Sequence, residues 1–185
     1  MTNESQRSAL LVMDVQPGIL DRVPDSAAYL ARVTETVTAA RARNVPLIHV
    51  VVGFRAGLPE VSAKNQSFGA LKQMQPPFLI DPRPVIAPEA NEPVVTKRRV
   101  SAFAGSDLEV ILRGGDIDHL VLCGIATSGV VLSTLREAAD KDYRLTVLAD
   151  LCADTDPDVH DVLMNKVFPR QAQVTSAQEW LAQRA

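Results

Sequence analysis

The chain has 185 residues, the usual length of one compact domain, with 46% hydrophobic and 22% charged residues; this excludes both a stapled mini-fold and a disordered polymer. Nineteen Lys and Arg against 22 Asp and Glu give a formal net charge of -3, which supplies no global basic field for nucleic acid or an anionic membrane. No apolar run approaches the roughly 20 residues of a membrane span, residues 1–7 lack the layout of a secretory leader, and Cys123 and Cys152 are not in C-x-x-C spacing, so one cytoplasmic domain over 1–185 with two reduced thiols is expected.

Short apolar runs alternate with stretches of helical period, the pattern of β-α units on a mostly parallel sheet. Residues 9–13 read as a first strand stopping at Asp14, and 46–52 as a second. Between them, 26–43 read as a helix with Leu30, Val33, Val37 and Ala40 on one face. A third strand covers 94–96, followed by Ser106-x-x-Glu109, a capping-box pattern opening a helix that ends at Gly114-Gly115. The fourth strand is 120–123, after which Thr127 or Ser128 is expected to cap a helix. The fifth is 145–148, with Cys152 in the turn beyond it. Asp156-Pro157 then opens a helix through about residue 166, a short strand covers 172–175, and Ser176-x-x-Glu179 starts the last helix. The class is α/β with six strands.

Residues 54–92 break this rhythm, because six of the twelve prolines lie within the segment and a seventh, Pro93, at its edge. The expectation is an insertion over the sheet, either a lid or binding surface or a packed irregular crossover.

Ligands of open parallel sheets bind beyond the carboxyl ends of the strands, where strand order reverses. The residues ending strands are therefore the candidates: Asp14 after strand one, Lys97 after strand three, and the turn 124–131 after strand four. An acid, an amine and a turn presenting backbone N–H groups at a helix start make a set able to move protons and hold an anion. Gln16, Arg98, Arg99, Phe103, Ala126, Thr127, Ser128, Gly129 and Val130 are the expected substrate contacts around them. His49, His119 and His160 are scattered, so no metal is expected, and no phosphate-loop or dinucleotide motif calls for a cofactor.

Three segments together, A-L-L-V-M-D-V-Q from Ala9, V-V-T-K-R-R-V-S-A-F-A-G-S-D-L from Val94 and H-L-V-L-C-G-I-A-T-S from His119, resemble the isochorismatase-like, or cysteine hydrolase, superfamily. The resemblance implies a three-layer α/β/α domain whose six-stranded parallel sheet has the order 3-2-1-4-5-6. Strands one and four are then neighbours, and Asp14 lies beside the 124–131 turn. It also implies a cis peptide between Ile125 and Ala126, catalytic roles for Asp14 and Lys97, and a homodimer or larger assembly.

In amidases of the family a cysteine on this turn is the nucleophile, and the matching position here is Val130, which has no nucleophilic atom. Cys123, inside strand four, reads as a buried inert thiol. Isochorismatases proper need no cysteine, since an Asp protonates a vinyl ether and water attacks the resulting cation. The resemblance thus implies a hydrolase acting on a small, anionic substrate by Asp-based acid/base chemistry. The alternative is a non-catalytic relative that binds a small molecule or a protein partner.

Overall fold

The computed structural model describes residues 7–183. The amino-terminal segment whose composition lacks a leader pattern lies, but for Arg7, outside the described residues. Six strands, β1 (Ser8–Met13), β2 (Leu47–Val52), β3 (Val94–Lys97), β4 (His119–Ile125), β5 (Arg144–Ala153) and β6 (Gln173–Thr175), form one sheet in the order β3-β2-β1-β4-β5-β6. Every ladder is parallel. The helices are α1 (Ser26–Ala42), α2 (Leu71–Met74), α3 (Pro77–Ile80), α4 (Leu108–Gly114), α5 (Leu132–Asp140), α6 (Pro157–Val162) and α7 (Ala177–Ala182). None is long and apolar enough to cross a membrane.

The central strands are apolar on both faces, as a parallel sheet covered on two sides requires. On β1, Ala9, Leu11 and Met13 join a cluster with Leu108 and Leu112 of α4 and Leu135 and Ala138 of α5. Leu10 and Val12 face the other way, against Val33 and Val37 of α1 and Trp180 of α7. This two-sided burial fixes the strand order around β1 and β4, and so the switch point between them.

The local signals fared differently. Ser176 forms the expected capping box, its Oγ accepting from Glu179 N at 3.2 Å while Glu179 Oε2 accepts from Ser176 N at 3.1 Å. Asp156 caps α6 as expected, accepting from Asp158 N and Val159 N, with Pro157 first in the helix. The box at Ser106 does not form. Ser106 Oγ donates to Ala102 O at 2.6 Å, Asp107 takes the cap position, and Glu109 turns away to Lys141 Nζ at 2.7 Å. Strand β5 is longer than expected because a bulge lets it pair twice: the register moves from Leu122↔Val147 to Gly124↔Cys152. Cys152 is consequently inside β5 and buried, not in a turn. Within the bulge, Asp150 Oδ1 accepts from Ala177 N at 2.9 Å, tying β5 to the start of α7.

The insertion is a packed crossover. Phe54, Leu58, Val61 and Leu79 form their own small core with Val52. Backbone bonds from Phe54 N to Leu79 O (2.7 Å) and Val85 N to Val15 O (2.9 Å) hold it across the carboxyl ends of β1 and β2.

Candidate active site

Asp14 follows directly on β1 in the left-handed region, at φ 57°, which Asp tolerates better than most residues. Its N–H donates to Val50 O at 2.8 Å, so the chain stays in the sheet for one more bond before it turns. The side chain is buried, and Lys97 Nζ, at the end of β3, lies 2.9 Å from Oδ2. Lys97 is 2% exposed and also donates to Arg99 O at 3.0 Å. Oδ1 of Asp14 is buried and has no hydrogen-bond partner. Burial pushes the carboxyl up to about 6 from its ordinary 3.8, against the opposing pull of the Lys97 ammonium.

Beside it lies the turn after β4. Met13 pairs with Gly124, and the Ile125–Ala126 peptide is cis. Residues Thr127–Val131 form one π-type turn leading into α5. Neither Thr127 nor Ser128 caps it; the cap position is Ala126, and the side-chain bonds come from Asp154, just after β5, and from His160 in α6. Ser128 N donates to Asp154 Oδ2 at 2.7 Å, and Thr127 Oγ1 shares a 2.8 Å bond with His160 Nδ1. Partial burial raises the Asp154 carboxyl, but the N–H of Ser128 and further donors outweigh this and hold it below its usual value. Val130 is 2% exposed and packs in the cluster containing Met13 and Phe103.

The structure thus brings Asp14, Lys97 and the 124–131 turn together at the switch point. It places several expected substrate contacts in other work. Gln16 is fully buried and spans two elements: Oε1 accepts from Val52 N at 2.8 Å, while Nε2 donates to Val52 O at 3.2 Å and Phe78 O at 3.3 Å. Arg98 donates to Gly53 O at 2.6 Å and Arg99 to Arg98 O and Glu60 O at 2.6 and 2.8 Å, so both cations fasten the insertion to the end of β3. Phe103 stacks against Tyr143 with centroids 6.1 Å apart, and Lys141 Nζ sits 5.5 Å from the Phe103 ring centre.

Sequence reasoning missed Asp154, His160 and Glu60. The first was within reach, because Asp154 follows immediately on the true end of β5. His160 was weighed only as a metal ligand, and Glu60 carries no local signal. Among the described residues no three His, Cys, Asp or Glu side chains converge in a way that could hold a metal ion.

Both thiols are buried, and desolvation raises Cys123 to about 12 and Cys152 well above its ordinary value. Neither supplies a thiolate near neutral pH. Iodoacetamide should therefore label the native protein only as fast as the fold opens, a rate measured by mass spectrometry. Labelling of either cysteine within minutes at pH 7.5, with circular dichroism unchanged, would contradict this burial.

The chain matches the model of the isochorismatase domain over residues 8–179. It is 31% identical over 186 residues to the isochorismatase family protein YecD of Escherichia coli O157:H7, covering 96% of both chains. It is also 31% identical over 180 residues to the ureidoacrylate amidohydrolase RutB of Yersinia enterocolitica, covering 82% of this chain and 77% of the relative. Among solved structures, an isochorismatase family protein of Burkholderia thailandensis superposes with a TM-score of 0.78 at 31% identity, over 95% of this chain and 94% of the other. Sheet order, the placement of Asp14 and Lys97 and these similarities lead to one assignment: the chain belongs to the isochorismatase family of hydrolases.

Proposed function

We propose that the protein hydrolyses a small substrate with Asp14 as proton donor and without a cysteine nucleophile. The observation that carries this reading is the state of Asp14: one carboxylate oxygen held by Lys97, the other buried and unpartnered, and the group raised to about 6. A carboxyl in that condition still carries its proton in half of the molecules at about pH 6, where an ordinary Asp is almost fully ionised, and has an oxygen available for the atom it protonates. On a vinyl ether, transfer of that proton to carbon leaves an oxocarbenium ion. Water adds to the cation, loses a proton that restores Asp14, and the hemiketal collapses to an alcohol and a ketone. Acyl transfer through a thiol is unavailable, since Val130 occupies the turn and both cysteines lie inside strands.

An anionic substrate fits Lys97 and Arg98, which we propose as its holders. Among its donors, Arg98 NH1 is committed to Gly53 O, and Nε lies 3.7 Å from Glu60 Oε1. Arg99, by contrast, spends both terminal nitrogens on backbone carbonyls. Val130 also favours a second reading, a family member that binds a small molecule or partner without turnover. A panel of vinyl ethers, amides and esters separates the two: turnover that disappears with Asp14→Asn supports the hydrolase, and binding without turnover across the panel supports the second.

The same carboxyl sets the pH dependence. The acid form is the active one, so kcat/KM should fall about tenfold per pH unit above about 6. The folded protein also binds this proton more tightly than the unfolded chain does. Asp14 therefore stabilises the fold below about 4 and loses that contribution as pH rises through about 6. A rate profile that stays flat from pH 5 to 8 removes Asp14 as the acid.

A further inference from the structure

We propose a second binding site, for a small organic anion with a compact apolar body, at the amino-terminal edge of the sheet. A cavity of about 690 Å3 lies there, bounded by the starts of β1 and β2, the loop after α1, the segment before β3 and the end of α4. Strand β1 alone separates this edge from Asp14 by about 20 Å, at roughly 3.3 Å per residue.

One wall is rigid. Glu92 has a side chain only 5% exposed and holds Arg41 through two 2.8 Å bonds. It also bonds His49 Nε2 at 3.0 Å and accepts from Glu89 N at 3.0 Å. The Arg41 guanidinium first, and these further donors, hold the Glu92 carboxyl down at about 2, so the pair stays ionised and mutually satisfied. Arg7 and Arg43 stand differently. Arg43 donates to Ala39 O at 3.1 Å and has no carboxylate within 4.0 Å among the described residues. Arg7 donates to Gly115 O at 3.1 Å, and its pairing with Asp116 is 3.7 Å long and exposed to water on both sides.

Three arginines and two glutamates line the cavity, a surplus of one positive charge. Leu47 and Ile117, both buried, add apolar surface to its otherwise largely polar lining. A bare inorganic ion would leave that apolar surface uncovered, and a neutral apolar molecule would leave Arg43 without a carboxylate and Arg7 with only its long, exposed pairing to Asp116. A carboxylate on an aromatic or branched body satisfies both, through charge-assisted bonds to Arg7 and Arg43.

Titration of the 15N-labelled protein with benzoate to about 10 mM tests this, since millimolar affinity is the scale of so small a ligand. Saturable shifts are expected at the amides of Asn44, Leu47, Gly115 and Ile117 and at Nε of Arg7 and Arg43. Arg43→Gln should weaken binding about fivefold, the range of one exposed ion pair. Asp14→Asn should leave it unchanged. Benzyl alcohol, which lacks the charge, and inorganic phosphate, which lacks the body, should each bind at least fivefold more weakly. Shifts confined to the surroundings of Asp14, no effect of Arg43→Gln, or equal binding of either control would each overturn the proposal. None of these readouts depends on turnover.

Discussion

Asp14→Asn should lower kcat by about 10²-fold or more on any substrate the protein turns over, the range expected when a positioned acid is removed. The amide keeps the shape of the carboxyl, so the loss reads chemistry in place of packing. Lys97→Ala should lower kcat/KM by another route, through loss of an ammonium that we propose as a holder of the anionic substrate, while the titration of Asp14 moves. Without its ammonium nothing holds Oδ2, burial acts unopposed, and the carboxyl rises further above about 6. Removing one partner of a buried pair also costs about 3 kcal/mol of stability, so Lys97→Ala should melt at a lower temperature. The two variants are told apart by pH: Lys97→Ala should keep some activity with its limb shifted alkaline, whereas Asp14→Asn should show no such limb. Full activity in Asp14→Asn would place the chemistry elsewhere on the rim.

Gly124→Ala should be the most damaging small substitution in the chain. The residue has φ +143°, and a Cβ there would lie 2.0 Å from Met13 O and 2.8 Å from Met13 C. Both atoms are backbone of the neighbouring strand, so neither can swing aside as a side chain would. A cost of about 3 to 5 kcal/mol is expected, which corresponds to a melting temperature about 10 °C lower or more in a domain of this size. Gly57→Ala is the control. Its φ of +78° carries the conformational penalty, but nothing lies within 4 Å of the added carbon, so about 1 kcal/mol is expected. If thermal melts give equal losses for the two, the close approach of β1 and β4 is not what Gly124 serves.

What the sequence made legible, and what it hid, follows the reach of each interaction. Buried strands are continuous apolar runs, so the ends of β1 and β3 mark Asp14 and Lys97 without further help. The Ser176 box and the Asp156 cap close over three residues, and both were readable. The Ser106 box has the same local pattern, yet Glu109 finds Lys141, 32 residues away, and the box is lost. Distance explains the remaining differences too. The Glu92 network joins residues 43 and 51 positions apart, and the bonds from Asp154 and His160 to the turn span 26 and 33. Gln16, Arg98 and Arg99 sit beside the expected site, and their residue types suit ligand contact. Only the folded chain reveals that backbone groups at the ends of β2 and β3 and in the insertion take up much of their bonding capacity.

The Gln16 clamp has a consequence for motion. Val52 N–H, at the last position of β2, is bonded by the Gln16 side chain in place of a neighbouring strand, and the other end of the same amide holds Phe78 O of the insertion. Release of the insertion removes the Phe78 bond that helps to fix the Gln16 amide on Val52, so the solvent-exchange rate of this one backbone hydrogen should rise with excursions of the segment. Hydrogens deeper in β1 and β4 exchange through larger openings. Their difference separates the free energy of uncovering the site from that of losing the sheet.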